Sequence, residues 1–464
     1  MNSNRRDFLK KTTLAGTAIG LAPGLTQAQL LGPERSFKAQ YMGDFAAPKL
    51  ETIRCAFIGV GARGPGHAKR MAAIEGTEVV AICDLYQDFA EKTAAAVKEI
   101  GKGERHQNIK LYHGDENQWE KMLRKEKIDA VFICTPWRWH ATMAIKSMEA
   151  GAHAFVEVPL AVTLEEMWDI VDTSEKTKKH CMMMENVNYG RDELLYLNMC
   201  RQGVIGELLH AEAAYIHELR GQMYSERNTG SWRTYHYAKR NGNLYPTHGL
   251  GPVAQYMNLG RGDDNFKRIT SFSSPAKGRN LYAKKNFQAD HKWNALDFKG
   301  GDMNTSIIKT NMGRTVMVQW DETSPRPYSR HNLIQGTKGT MTGFPTRIAL
   351  EGGFGEATKD HHSWVQGEKL AEIYEKYEHP LYKRVGELAK KMGGHGGMDF
   401  IMEFRIAECL REGLPLDQNV YEGAFWSAVG PLSEISVAQD GMPQDFPDYT
   451  RGNWKNTKPL DIVV

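Results

Sequence analysis

From residue 53 to about residue 190, short apolar runs alternate with stretches of helical periodicity. That alternation predicts strands at Ile53 to Gly59, Glu78 to Asp84, Ile109 to Tyr112, Ala130 to Cys134, His153 to Glu157 and His180 to Glu185. Their near-continuous hydrophobicity and their spacing suit βαβ units, so a parallel sheet covered by helices on both faces is expected. The run Met182-Met183-Met184 within the last strand reads as core filling.

After residue 190 the pattern changes. Leu208 to His217, Thr305 to Asn311, Thr315 to Trp320 and Asn332 to Gly336 are strand-like, with turns rather than regular helices between them. Arg220 to Tyr256 is rich in Gly, Asn, Tyr, Trp and His and is read as a functional loop region. Met398 to Glu412 and Asn419 to Gln439 have helical patterns, and residues 441 to 464 form a polar tail expected to wrap the surface. The fold class is therefore α/β: an N-terminal Rossmann doubly wound parallel sheet, then a C-terminal α+β domain with a largely antiparallel open sheet. The expected boundaries are 29 to 50 for a linker, 51 to 190 for the first domain, 191 to 440 for the second and 441 to 464 for the tail.

The first strand runs into Gly59-Val60-Gly61-Ala62-Arg63-Gly64, which opens a helical stretch from Gly66 to Ile74. Gly59 allows the tight turn, Gly61 and Ala62 let the backbone approach a pyrophosphate, and Gly64 lets the helix close on the strand. Asp84 follows twenty residues beyond Gly64 at the end of the second strand, placed to accept from ribose hydroxyls. A ribose phosphate would meet that carboxylate, so NAD is expected rather than NADP. Arg63 either contacts phosphate or ribose or lies in solvent. At the carboxyl edge of later strands, Trp137, His140, Glu157, Val158 and Asn186 are further cofactor candidates.

Composition changes the picture at the N-terminus. Residues 1 to 28 have a basic start, an apolar stretch from Leu14 to Leu25 and a small-residue site ending Thr26-Gln27-Ala28, the build of an export signal. The Arg5-Arg6 pair before Phe8-Leu9-Lys10 matches the twin-arginine signal, so the twin-arginine export machinery is an expected partner and the periplasm or another extracytoplasmic space the expected destination. Removing that segment takes away four basic side chains and Asp7, so the formal charge falls from +3 to 0. A neutral chain offers no electrostatic footprint for nucleic acid, and the leader is too short and Gly-rich for stable membrane insertion. The six cysteines have no metal-finger spacing and read as reduced core residues. His361-His362 and His395 lack paired ligand spacing, so no metal is expected; the glycines around His395 leave a substrate contact open.

These motifs resemble the Gfo/Idh/MocA superfamily. Its Thr-Pro-x-x-x-His feature corresponds to Thr135 through His140, and its Glu-Lys-Pro to Glu157-Val158-Pro159. The lysine that handles the substrate hydroxyl proton in those dehydrogenases is a valine here. Gly230 to Thr234, Gly242 to Pro252, Ser324 to Arg330 and Gly393 to Asp399 together look like glycoside hydrolase family 109, over essentially the whole chain. That resemblance implies removal of terminal α-linked N-acetylgalactosamine by oxidation at carbon 3, elimination, water addition and re-reduction, one of the NAD-dependent exceptions to two-carboxylate hydrolysis. The implied NAD is tightly bound with NAD+ as its resting state, the implied partner is a small glycoside or glycan terminus, and a homo-oligomer through the exposed sheet face is implied.

On this resemblance His248 is the acid/base residue, since an imidazole titrates near neutral pH. Tyr245 binds sugar hydroxyls or assists proton transfer, and Tyr189 is either the group that reaches carbon 2 or a packing residue. Tyr215, Arg233 and Tyr328 join Tyr245 and His248 as substrate contacts. Glu157 belongs either to the nicotinamide ribose or to a catalytic proton network. Two rival functions stand beside this one: a periplasmic sugar oxidoreductase using NAD(P), and a sugar-binding protein stabilised by NAD.

Overall fold

The computed structural model describes residues 25–355 and 362–460, so the twin-arginine motif and His361 lie outside the described residues. Strands β1 (Ile53–Ile58), β2 (Thr77–Cys83), β3 (Lys110–Tyr112), β4 (Ala130–Ile133), β5 (His153–Val156) and β6 (Cys181–Met183) form one parallel sheet. Its order is β3-β2-β1-β4-β5-β6, and helices cover both faces, which is why all of β4 is buried. The strand order reverses between β1 and β4. Open α/β sheets bind ligands outside the carboxyl ends of strands at such a switch point.

The second sheet has nine strands: β7 (Leu208–Ile216), β8 (Phe266–Ser273), β9 (Asn304–Thr310), β10 (Thr315–Asp321), β11 (Leu333–Gly336), β12 (Gly339–Thr342), β13 (Arg347–Leu350), β14 (Val365–Gln366) and β15 (Gln444–Asp445). Their order is β14-β13-β12-β11-β7-β10-β9-β8-β15, and all neighbours are antiparallel except β7 and β10. One face is covered and the other open, as β9 illustrates: Ile308 is 0% exposed and its neighbour Ile307 40%.

The expected loop at Arg220 to Tyr256 is instead mostly helical, with a short turn at Arg220–Tyr224 followed by helices Thr229–Lys239 and Thr247–Tyr256. Its glycines serve close packing rather than turns. A Cβ on Gly249 would lie 2.3 Å from the backbone nitrogen of Ala214 in β7, so the helix can rest on the strand only without a side chain there. This contact is what sets His248, one residue earlier, above the sheet.

Helix Val420–Ala438 ties the two sheets together. Ser427 Oγ accepts from the backbone of Leu160 after β5, while Ser436 Oγ accepts from Ser271 in β8. The polar tail is anchored as well as wrapped: β15 pairs with β8, and Tyr449 then packs its ring 4.7 Å from Trp168 on the Rossmann helix Leu164–Thr177. All six cysteines are unpaired, as expected, and burial pushes the Cys83 thiol up to about 12.

The helix-on-strand contact makes a direct prediction. Gly249→Ala forces helix Thr247–Tyr256 off β7 and costs about 3 kcal/mol, the upper end of overpacking penalties, with turnover falling as His248 moves. A thermal unfolding comparison checks this; an unchanged midpoint would show that the close approach is not limiting.

Candidate active site

The carboxyl ends of β1, β2 and β4 open onto a cleft of about 570 Å³, a size that holds a small molecule or dinucleotide. Gly59 has φ +84°, and a Cβ on it would lie 2.7 Å from the Cys134 carbonyl oxygen at the end of β4. A Cβ on Gly64 would lie 2.1 Å from the Gly59 carbonyl oxygen, so helix Gly64–Ala73 closes on its strand because that residue is glycine. Asp84 Oδ2 accepts from the Val60 backbone at 2.7 Å and Oδ1 from Tyr86 at 2.9 Å. Burial raises its pKa against those hydrogen bonds, and the carboxylate stands in the cleft wall with further lone pairs available. This cradle fits NAD.

The second domain roofs the cleft. Arg227 lies 4.1 Å from the Tyr86 ring centroid and 4.5 Å from that of Phe89, and Asn228 donates to the Gly61 carbonyl. Trp137 and Arg233 continue the wall. His140 also lines it, but its ring nitrogens engage the carbonyls of Thr135 at 2.9 Å and Pro159 at 2.7 Å, so it fastens the loops after β4 and β5 together.

Beneath the cleft sits a buried ion network. Arg63 pairs with Glu157 at 3.0 Å and Asp399 at 3.1 Å, and Arg70 pairs with Glu403 at 2.8 Å and Asp399 at 3.3 Å. His67 lies between Glu157 Oε1, at 2.7 Å from Nε2, and Glu403 Oε1 at Nδ1. Carboxylates at both ring nitrogens require both to donate, which makes His67 an imidazolium. Burial alone would lower its pKa; Glu157 and Glu403 outweigh that and raise it. Burial also opposes the charge of Glu157, yet Arg63 and His67 hold it well below the usual carboxylate range, and His395 and Arg63 do the same for buried Asp399. Asn186 joins this network, donating to Asp399 at 2.6 Å. Cys134 has its sulfur near His67 and Glu157, and burial raises its thiol well above the usual range.

Next to Trp137 and Arg233 of the cleft wall sits an aromatic cluster of the second domain. The Tyr215 ring stacks 4.6 Å from Tyr245, and His248 stands edge-on to both, at 5.2 and 5.0 Å. His248 Nδ1 lies 2.6 Å from Oε1 of fully buried Glu185, which leaves Nε2 for chemistry. Arg233 lies about equally close to the rings of Trp137, Trp232 and Tyr245, and its Nε has no hydrogen-bond partner among the described residues. Burial opposes the Arg233 charge, and nearby tyrosines and Glu322 sustain it. Tyr328, 38% exposed, closes the outer side and accepts from Arg330 at 2.7 Å.

Of the sequence candidates, the structure thus gathers His248, Tyr245, Tyr215, Arg233 and Tyr328 into one cluster, and places Gly59, Gly61, Ala62, Arg63, Asp84, Trp137, His140, Glu157 and Val158 along the cleft. Gly64 and Asn186 lie behind it. Tyr189 is held apart: its buried hydroxyl donates to Asp417 at 3.2 Å, and Asp417 pairs with Arg405. His67, Arg70, Glu403, Glu185 and His217 had no role from sequence. For the first three the signal was present, since 63, 67 and 70, like 399 and 403, fall on one helical face.

The chain matches two family descriptions: glycosyl hydrolase 109, C-terminal domain, over residues 189–456, and oxidoreductase family, NAD-binding Rossmann fold, over residues 53–185. It is 65% identical over 434 residues to glycosyl hydrolase family 109 protein 1 of Akkermansia muciniphila, covering 93% of this chain and 89% of that one. It is 54% identical over 466 residues to the alpha-N-acetylgalactosaminidase of Shewanella oneidensis, covering 100% and 99%. Among solved structures, levoglucosan dehydrogenase in complex with NADH and levoglucosan superposes with a TM-score of 0.63 at 19% identity, covering 86% of this chain and 100% of that one. An NAD binding oxidoreductase from Klebsiella pneumoniae gives 0.61 at 17%, covering 85% and 99%. These two share the fold.

The ion network predicts a pH signature. His67 has a raised pKa in the folded state, so its contribution to stability is complete below its unfolded value of about 6.5 and is lost as pH rises through the folded value. The unfolding midpoint of His67→Gln should lack that alkaline decline relative to the parent; the same decline in both would overturn the imidazolium assignment.

Proposed function

The chain belongs to glycosyl hydrolase family 109, and on that premise we propose that it hydrolyses terminal α-N-acetylgalactosaminides by an NAD-dependent route with no net redox change. The observation that carries the reading is the division between the two walls of the site. On the Rossmann wall, Val158 occupies the position where related dehydrogenases have a lysine, and Glu157 is tied into fixed ion pairs. In the second domain, His248 is oriented by Glu185 and has a ring nitrogen available. Proton handling therefore belongs to the second domain.

NAD held by the Gly59 to Gly64 turn and Asp84 would supply a hydride acceptor for sugar carbon 3 and the hydride for its re-reduction. His248 Nε2 takes the carbon 3 hydroxyl proton, and the Glu185 carboxylate stabilises the imidazolium that forms, the role a buried carboxylate plays behind a catalytic histidine. The ketone acidifies the hydrogen on carbon 2, so the aglycone leaves by elimination and water adds in its place. Arg233 offers guanidinium donors to hydroxyl or acetamido oxygens, while the rings of Tyr215, Tyr245 and Tyr328 enclose the sugar. The name borne by the Shewanella oneidensis relative supports the N-acetylgalactosamine specificity. The roof formed by Arg227 and Asn228 favours an NAD that stays bound through many turnovers.

The protein isolated without added cofactor should release the aryl group from an aryl α-N-acetylgalactosaminide without accumulating NADH. Stoichiometric NADH with no bond cleavage would move the assignment to a sugar oxidoreductase. His248→Ala should lower turnover by about 10²- to 10⁴-fold with NAD retained, and Glu185→Gln by about 10²-fold. Full activity in Glu185→Gln would remove the carboxylate from the mechanism.

The Arg5-Arg6 motif supports export of the folded, cofactor-loaded protein by the twin-arginine route. Replacing both with Lys should leave the precursor in the cytoplasm on fractionation. Undiminished export of that variant would assign the leader to another route.

A further inference from the structure

Elimination across carbons 1 and 2 of a 3-keto sugar needs a base at carbon 2, separate from the group that takes the carbon 3 hydroxyl proton. Tyr189 directs its hydroxyl to Asp417, which is paired with Arg405, away from the cluster of Arg233, Tyr245 and His248. No acceptor stands behind the Tyr245 hydroxyl among the described residues, and burial with only Arg233 to offset it raises that phenol. A buried phenol is a poor base unless its own proton has somewhere to go.

Tyr215 has that outlet. At the end of β7, two residues before His217, it places its hydroxyl 2.9 Å from His217 Nδ1. The His217 ring is fixed by its position: its backbone donates to the Asp321 carbonyl at 2.8 Å, and the Tyr328 ring stands 4.9 Å away, edge-on. Burial lowers the His217 pKa; Glu322 opposes this, and the Arg233 guanidinium reinforces it. A neutral imidazole in this place accepts the tyrosine proton. Tyr215 also packs directly on His248 and Tyr245, the residues assigned above to the sugar.

We propose that Tyr215, with His217 behind it, is the proton relay that removes the hydrogen from carbon 2; the proposal rests on the redox-neutral reading above. Tyr215 Oη takes the carbon 2 proton as its own proton passes to His217 Nδ1. The carbon 2–hydrogen electron pair becomes the carbon 1–carbon 2 double bond. The carbon 1–oxygen bond breaks with its pair on the aglycone oxygen, which receives from His248 the proton taken earlier from the carbon 3 hydroxyl. When water adds, its hydroxide portion bonds to carbon 1, its proton returns to His248, and His217 gives the carbon 2 proton back through Tyr215. His248 then reprotonates the carbon 3 oxygen as the hydride returns. Tyr215 is the catalytic residue and His217 its positioning and relay partner.

The test separates the oxidation step from the elimination step, in Tyr215→Phe and His217→Gln carrying their NAD, with an aryl α-N-acetylgalactosaminide in D₂O. In both variants reduced nicotinamide should still accumulate on mixing, read by its near-ultraviolet absorbance. Deuterium entry at carbon 2 and aryl release should both fall by about 10²-fold or more. Parental deuterium entry in either variant would overturn the relay. So would parallel loss of the nicotinamide signal and the exchange, which would mark the pair as structural or substrate-binding. If the parent protein itself neither reduces its nucleotide nor exchanges carbon 2, the redox-neutral reading fails and takes the relay with it.

Discussion

Three cations and three carboxylates, all but Arg63 largely buried, gather between the first Rossmann helix and helix Met398–Glu412 and fix where the cofactor cleft meets the rest of the molecule. Burying charges is tolerable only when each is matched, because desolvation costs several kcal/mol per ion and an unmatched charge recovers none of it. Arg63, His67 and Arg70 against Glu157, Asp399 and Glu403 satisfy that condition with His67 protonated. The network is weak evidence for stability, since well-packed apolar residues serve as well; its effect is geometric. It holds the glycine-rich turn, the end of β5 and the Gly393 to Gly397 segment in one arrangement.

That arrangement has a chemical consequence. Glu157 stands where a proton carrier's neighbour would be in related dehydrogenases, yet two cations pin it in its ionised form. With Val158 beside it, the Rossmann wall has nothing there that takes up and releases a proton near neutral pH. The wall is a rigid, charged floor for a dinucleotide, and acid/base work moves to residues carried by β7 and helix Thr247–Tyr256. Gly249 makes that relocation possible, because the helix bearing His248 must lie directly on β7, the strand bearing Tyr215, for the two side chains to share one pocket.

Legibility in the sequence followed the range of the interactions. The parallel strands, the glycine turn and Asp84 are local patterns, and each was readable as such. His248, Tyr245 and Arg233 became candidates through motif resemblance, and their convergence required the fold. The ion network was hidden because its halves are more than 300 residues apart, although each half alone shows charges on one helical face of a segment otherwise patterned for burial. Glu185 was obscured by the methionine-rich strand it follows. Arg220 to Tyr256 was misread because glycine, which usually signals a turn, here permits backbone-to-backbone packing.

The roof over the cleft connects fold to reaction type. Arg227 reaches from the second domain to lie against Tyr86 and Phe89, and Asn228 bonds to Gly61, so contacts from the second domain cross the cleft. For an ordinary dehydrogenase that is a handicap, because the reduced cofactor must leave after each turnover. For a reaction that returns its hydride to the same substrate it costs nothing. On the proposed reading, the roof over the cleft and the proton relay in the second domain are two parts of one solution: a cofactor that is kept and protons that travel.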